Sequence, residues 1–283
     1  MPRSVLAALI WFVIGVSAII PAFHAAGSRT LYADQVAVLM YHHIHDTDRS
    51  SATITTKLFN DQLSYLRQKG YRFITLDEFR AFMDGGPVPE NAVLVTFDDG
   101  YESFYTNAYP ILRQMNVPAV NFVITGTLDQ PKSGYVPYLS PDDIERMTRE
   151  SDLVSMQCHT HALHDAPGGK PLLTSRLTVG GQTETDAQYE RRVTGDIETC
   201  IRRLQPLNPA TVDALAYPYG EYTKKAADLA RRAGIKYAFT IVPAMATRNA
   251  DPLFIPRLNA GSPHMTPQKL HHAILRRIVA VRR

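Results

Sequence analysis

The chain has 283 residues, of which 45% are hydrophobic and 20% charged, a balance that excludes a disordered chain and allows one large core. Its formal net charge of +3 is too small to argue for a nucleic-acid partner. The two cysteines, Cys158 and Cys200, stand in no metal-binding spacing and are expected as buried free thiols, with a disulfide open to them if the chain is exported.

In chain order, Arg3 precedes an apolar stretch from Val5 to Phe23, interrupted only by Gly15, Ser17 and Pro21 and followed by Ala25-Ala26-Gly27-Ser28. A basic start, an apolar centre and small residues read as an export signal. Phe23 or His24 stands where cleavage wants a small residue, and the stretch nearly spans a bilayer. Residues 1–26 are therefore expected to be a signal peptide or an uncleaved signal anchor. On either reading the rest of the chain is exported, to the periplasm or cell envelope.

After a linker over residues 27–34, residues 36–41 form an apolar run that reads as a strand and ends in His42-His43. Phe59, Leu63 and Leu66 have helical spacing within residues 59–69, which Gly70 closes. A short strand at 71–75 leads to a helix at 76–83, with Asp77 as its expected cap and Gly85-Gly86-Pro87 as its breaker. Residues 93–97 are again strand-like and end in Asp98-Asp99-Gly100. Helices are expected at 108–115, 141–149, 187–204 and 224–233, and strands at 119–124, 153–157, 214–217 and 237–240. Residues 165–185, rich in Gly, Pro, Thr and Ser, read as an inserted loop. Residues 263–283 carry Lys269, Arg276, Arg277, Arg282 and Arg283 beside Ile274, Leu275, Ile278 and Val279. This basic tail is expected as a short solvated helix, with contact to an anionic membrane as the alternative.

Strands that alternate with helices, without obvious hairpins, indicate an α/β fold with a parallel sheet. About seven such units over residues 35–262 suggest a distorted or incomplete (β/α) barrel, whose chemistry sits at the C-terminal ends of the strands. The polar residues collect at those ends: His42, the Asp98-Asp99 pair, His159, and Tyr217-Pro218-Tyr219-Gly220. Adjacent buried carboxylates repel and lose hydration unless a cation or proton joins them. An Asp-Gly turn is the bland alternative. His159 and His164 add imidazoles, which with one carboxylate would hold a zinc-like ion with an open position. His45 and His161 are read as incidental.

Thr96-Phe97-Asp98-Asp99-Gly100, His159-Thr160 with His164, and Tyr217-Pro218-Tyr219-Gly220 together resemble the first three motifs of the polysaccharide deacetylases, the NodB-homology proteins of carbohydrate esterase family 4. The resemblance spans about residues 35–260. The five-residue histidine spacing and the early Tyr41-His42 are similar to the branch acting on poly-β-1,6-N-acetylglucosamine. It implies one divalent metal ion (zinc, cobalt or nickel) on Asp99, His159 and His164, with Asp98 as general base. It further implies His42, in preference to His43, as general acid in a permuted order, and the Tyr219 backbone N–H as oxyanion donor. Most relatives carry an arginine where this chain has Ala216; Arg257, in Ile255-Pro256-Arg257-Leu258, is the expected replacement beside Asp98. A surface charge is the bland reading of Arg257.

The function expected is a metal-dependent hydrolase that removes N-acetyl groups from an extracellular amino-sugar polysaccharide. Chitooligosaccharide or peptidoglycan deacetylation, and a non-catalytic glycan-binding or export protein on the same fold, are the alternatives. A glycoside hydrolase using Asp98 and Asp99 fits less well, because adjacent strand residues point to opposite faces. The partners expected are an N-acetylglucosamine polymer, a membrane through the N-terminal segment, and polysaccharide export machinery.

Overall fold

The computed structural model describes residues 29–280, so the N-terminal apolar segment and Arg282 and Arg283 of the basic tail lie outside the described residues. Seven parallel strands make the barrel: β1 (Gln35–Tyr41), β2 (Ala92–Phe97), β3 (Ala119–Val123), β4 (Val154–Cys158), β5 (Ala214–Ala216), β6 (Tyr237–Phe239) and β7 (Leu258–Asn259). They run in the order β6-β5-β4-β3-β2-β1-β7. β7 pairs with β1 through Leu39 and Leu258, and Ile255 just before it bridges Phe239 of β6. Residues 255–259 thus cross the gap between the outermost strands and close the barrel. The closure is uneven, since β4 and β5 share a single register pair, Cys158 with Leu215. This is the distorted (β/α) barrel that the alternating pattern implied.

Both faces of the strands are buried, as a parallel sheet covered by helices requires. One face carries Val38, Leu94, Phe122 and Phe239. Phe122 lies on β3 and Phe239 on β6, which are not neighbours in the sheet, yet their rings are 5.2 Å apart. That face is the barrel interior. Its lower end is plugged by α2 (Leu76–Met83), whose Phe79 ring lies 5.7 Å from Phe239. Arg80 of α2 pairs with Asp213, directly before β5, which places the plug at the N-terminal ends of the strands. The C-terminal ends are left free for chemistry.

The outward face packs on α1 (Thr56–Gln68), α3 (Tyr109–Met115), α4 (Pro141–Glu150), α5 (Asp186–Leu204) and α6 (Lys224–Arg232), through Phe59, Leu112, Ile144, Ile197 and Leu229. The cap of α2 is Thr75 rather than Asp77. The Thr75 hydroxyl accepts the Glu78 N–H at 3.1 Å, and the Glu78 carboxylate accepts the Thr75 N–H at 2.7 Å. Asp77 lies already inside the first turn and instead pairs with Arg80 at 2.6 Å. Residues 165–185 include a two-stranded hairpin, Thr178–Val179 with Gln182–Thr183, whose turn residues Gly180 and Gly181 have φ of 58° and 81°. The basic tail is not free at its start. In α7 (Pro267–Leu275), Leu270 and Ile274 are fully buried, and Gln62 of α1 donates to the carbonyls of Ala260 and Met265.

The cysteines correct the expectation of free thiols. Cys158, the last residue of β4, is bonded to Cys200 of α5 with 6.0 Å between their Cα atoms. Cys200 lies on the helix face that also buries Val193, Ile197 and Leu204, so helix–strand packing brings the sulfurs together. Closing a loop of 42 residues should stabilise the fold by roughly 2–4 kcal/mol through lost unfolded-state entropy. The Cys158→Ser/Cys200→Ser variant is expected to show that loss in its urea midpoint, and reductant should move the wild type but not the variant. Coincident unfolding curves for all samples would refute the contribution.

Candidate active site

The interior alternation of β1 and β2 continues past their ends. Val38, Met40 and His42 follow one parity and Leu94, Thr96 and Asp98 another, so His42 and Asp98 both face into the barrel mouth. His42 Nε2 lies 3.9 Å from Asp98 Oδ2, whereas His43 turns outward to Ser103 and Asp48. A regular strand would send Asp99 to the opposite face. Left-handed backbone at Asp99 and Gly100, each with φ of 74°, turns the chain instead. A Cβ at position 100 would meet Val123 Cγ1 at 3.0 Å and its Cα at 3.2 Å, so the turn needs glycine for space as well as for φ.

Asp99 Oδ1 then lies 3.3 Å from His159 Nε2 and 3.1 Å from His164 Nε2. His159 follows β4, and its main-chain N–H donates to Val123 at 2.9 Å. Beyond it Thr160 is left-handed (φ 69°), and the N–H groups of His161 and Ala162 both donate to the Asp196 carboxylate at 2.8 Å. This clamp folds the loop back so that two histidines five residues apart converge. His161, read as incidental, also contacts Thr125 Oγ1 through Nδ1 at 3.0 Å and so helps hold the loop.

The donor set suits a divalent cation. His159 Nδ1 faces the Ala216 carbonyl at 2.8 Å; a carbonyl only accepts, so this nitrogen carries a proton and Nε2, turned to Asp99, is the atom left for a cation to take in place of a proton. Asp99, His159 and His164 present ligand atoms within 4.8 Å of one another. Burial raises the Asp99 pKa, but hydrogen bonds from His159 and His164 outweigh it and hold the carboxyl well below its usual range.

Asp98 is held differently. Its two oxygens accept from Arg257 Nη1 at 2.6 Å and Nη2 at 2.7 Å. Arg257 is fully buried, donates through Nε to Thr240 O at 2.9 Å, and lies 5.7 Å above the Phe122 ring. It follows Ile255 on the interior parity of the closing segment, so the guanidinium enters the barrel toward Phe122 and Thr96. Burial pushes Asp98 up, and Arg257 more than reverses the effect, leaving it below the ordinary carboxylate range.

Tyr219 is also left-handed (φ 57°), within the turn Pro218–Gly220, and its half-exposed ring lies 4.9 Å from that of His164. Sequence reasoning missed two further tyrosines. Tyr101 lies near enough to Asp99 for the two charges to act on each other, and its ring stacks on Tyr138 at 5.3 Å. Burial and then the Asp99 charge keep the Tyr101 hydroxyl protonated far above its ordinary value. The position of Tyr101 directly after Asp98-Asp99-Gly100 was a readable signal; Tyr138 arrives from a distant loop and gave none.

With a buried Asp98–Arg257 pair and a carboxylate–imidazole triad at the mouth of a (β/α) barrel, the molecule has the architecture of a hydrolase that activates water. The polysaccharide deacetylase pattern matches residues 85–238, and the chain belongs to that family, hydrolases that remove N-acetyl groups from amino-sugar polysaccharides. Poly-β-1,6-N-acetyl-D-glucosamine N-deacetylases of Staphylococcus aureus and Staphylococcus epidermidis are 27% and 29% identical to it over 206 residues, covering 73% of this chain and 67% of theirs. Among solved structures, IcaB from Ammonifex degensii superposes with a TM-score of 0.70 at 31% identity, covering 85% of this chain and 97% of that one. The BpsB deacetylase domain from Bordetella bronchiseptica gives 0.70 at 28%, covering 79% and 95%.

Because the folded pKa of Asp98 is depressed, its stabilising contribution is present above its unfolded value of about 4 and is lost as pH falls through the folded value. Arg257→Met removes the main counter-charge and leaves burial, which acts upward, opposed only by His159 and His42. The variant is expected to unfold with about 3–5 kcal/mol less free energy at neutral pH. Its acid limb of kcat/KM should also move to higher pH, while Arg257→Lys keeps part of both properties. An Arg257→Met protein with wild-type stability and an unmoved acid limb would show that the pair does neither job.

Proposed function

We propose that the chain is a metal-dependent N-deacetylase of poly-β-1,6-N-acetylglucosamine that works outside the cytoplasm. The observation that carries this reading is the division of two adjacent carboxylates, one bonded to a buried guanidinium and the other facing two imidazoles. The substrate follows the activity of the staphylococcal relatives. Asp99, His159 and His164 would hold the ion (zinc, cobalt or nickel), which when bound acidifies water and polarises the acetamide carbonyl.

The chain's own residues do the rest. Asp98, kept anionic and fixed in orientation by Arg257, takes a proton from the attacking water. The backbone N–H of Tyr219 donates to the carbonyl oxygen as it gains charge. His42 gives a proton to the sugar nitrogen as the C–N bond breaks, so amide and water become acetate and a free amine. Tyr101 stacked on Tyr138, and Tyr219 beside His164, offer ring faces for a sugar.

The N-terminal segment supports delivery to the periplasm or cell envelope, anchored if the segment is retained, and polysaccharide export machinery is the partner that this location suits. Among the described residues no helix is long and apolar enough to cross a membrane, so any anchor rests on the segment outside them.

Acetate release from poly-β-1,6-N-acetylglucosamine, chitooligosaccharides and peptidoglycan tests the reading. The first should give the highest kcat/KM, and chelation should abolish release. Asp98→Asn and His42→Ala should each lower kcat by roughly 10²–10⁴. Faster release from either other polymer would overturn the substrate, and no release from any by folded, metal-loaded protein would overturn the activity.

A further inference from the structure

Three metal-ligating side chains outside the site described above form a second cluster. The residues after β1 fold back on themselves: His43–Ile44 pairs in parallel with Thr53–Ile54, and the His45 N–H donates to Ile54 at 2.9 Å. This turn brings Asp48 between two imidazoles. Asp48 Oδ2 lies 3.0 Å from His43 Nε2, and Asp48 Oδ1 lies 3.2 Å from His45 Nδ1. The two rings stack 5.1 Å apart with only 10° between their planes.

The contacts repeat the pattern at Asp99, where one carboxylate faces two imidazole nitrogens at 3.3 and 3.1 Å. His43 also has a partner of the kind that orients a metal ligand: its Nδ1 lies 2.7 Å from the buried Ser103 hydroxyl. Ser103 thereby fixes the ring so that Nε2 is the nitrogen turned to Asp48, and in the tautomer with Nδ1–H given to Ser103 that nitrogen is a free ligand atom. His45 Nδ1 accepts the main-chain N–H of Asp48 at 3.1 Å, so this nitrogen is unprotonated where it faces the carboxylate. Ligand atoms of His43, His45 and Asp48 lie within 4.8 Å of one another, a spacing that one cation between them would bridge.

We propose that His43, His45 and Asp48 form a second site for a divalent transition-metal cation, distinct from the Asp99, His159 and His164 triad. Two imidazoles and one carboxylate select zinc, nickel, cobalt or copper over calcium or magnesium, which favour oxygen-only shells. His45 and Asp48 line a cavity of about 680 Å³ shared with Ser50, Thr53, Ser262 and His264, which leaves room for water or the His264 ring to complete the coordination. The site ties the turn to its neighbours on both sides. His43 directly follows His42, and Ser103 follows the Asp98-Asp99-Gly100 turn. Occupancy therefore fixes the segment that carries His42. The proposal does not depend on the deacetylase reading, because it concerns binding alone.

The test counts bound metal. Purified protein without a histidine tag is stripped with chelator, loaded with zinc, desalted and analysed for zinc per chain, with calorimetric titration alongside. Wild type is expected to hold two equivalents. His45→Ala/Asp48→Asn and Asp99→Asn/His164→Ala are each expected to hold one, with circular dichroism confirming that they fold. Ser103→Ala keeps all three ligands and should weaken one equivalent by about 10-fold, since removing an outer-shell partner typically costs that much. One equivalent in wild type, or two retained in His45→Ala/Asp48→Asn, would overturn the proposal. So would a Ser103→Ala protein with both affinities unchanged.

Discussion

The buried pair between Arg257 and Asp98 joins the closure of the barrel to the charge of its site. A guanidinium and a carboxylate removed from water each cost several kcal/mol unless their hydrogen bonds are met. Here they are largely met: Arg257 donates to both Asp98 oxygens, to Thr240 O and, at 3.2 Å, to Thr96 Oγ1. These partners belong to β2 and to the segment after β6, while Arg257 itself sits on the segment that closes the ring. β7 contributes only two paired residues, a weak ladder by itself. The ion pair supplies a cross-link where the ring closes, so the same contact that keeps Asp98 anionic also helps keep the barrel shut.

Backbone strain is concentrated around the same mouth. Among the described residues, six other than glycine have positive φ, and Asp34, Asn91 and Asn116 are of the types that tolerate it. The remaining three are Asp99, Thr160 and Tyr219, which lie on the acid pair, the histidine loop and the tyrosine turn. A β-branched threonine and a bulky tyrosine in this region cost on the order of 1–3 kcal/mol each. Their surroundings hold them there. Asp196 clamps the histidine loop, the Cys158–Cys200 bond anchors the strand end beneath it, and the Ala216 carbonyl fixes His159 just ahead of the tyrosine turn.

Much of this was legible in the chain because the barrel strands are short apolar runs that end in polar residues gathered at the mouth. The runs before His42, Asp98 and His159 each mark a strand whose C-terminal end faces the mouth. The elements that escaped are those that tertiary contacts create. β7 is two residues long and follows a proline, so no periodicity announces it. Arg257 could be suspected only because Ala216 stood where a guanidinium was wanted. The disulfide depends on how α5 lies against β4, and Tyr138 reaches Tyr101 only through the path of a remote loop. Thr75 took the cap from Asp77 because the capping residue must stand outside the helix, one position earlier than an acid in the first turn.

Adjacent aspartates begin as chemical equals, and their partners separate them. Burial raises both pKa values, and each is brought down by different groups: a permanent cation for Asp98, two neutralisable imidazoles for Asp99. A carboxylate paired to arginine keeps its charge compensated whatever binds nearby, yet its oxygens retain lone pairs for a proton. A carboxylate whose partners are imidazoles is compensated only while those rings hold a proton toward it, so a cation can take the place of those protons. The left-handed turn at Asp99 makes this possible, because it lets consecutive residues meet different walls of one cavity. On a straight strand the second acid would have pointed into the helix layer, among apolar side chains such as Phe97 and Phe104.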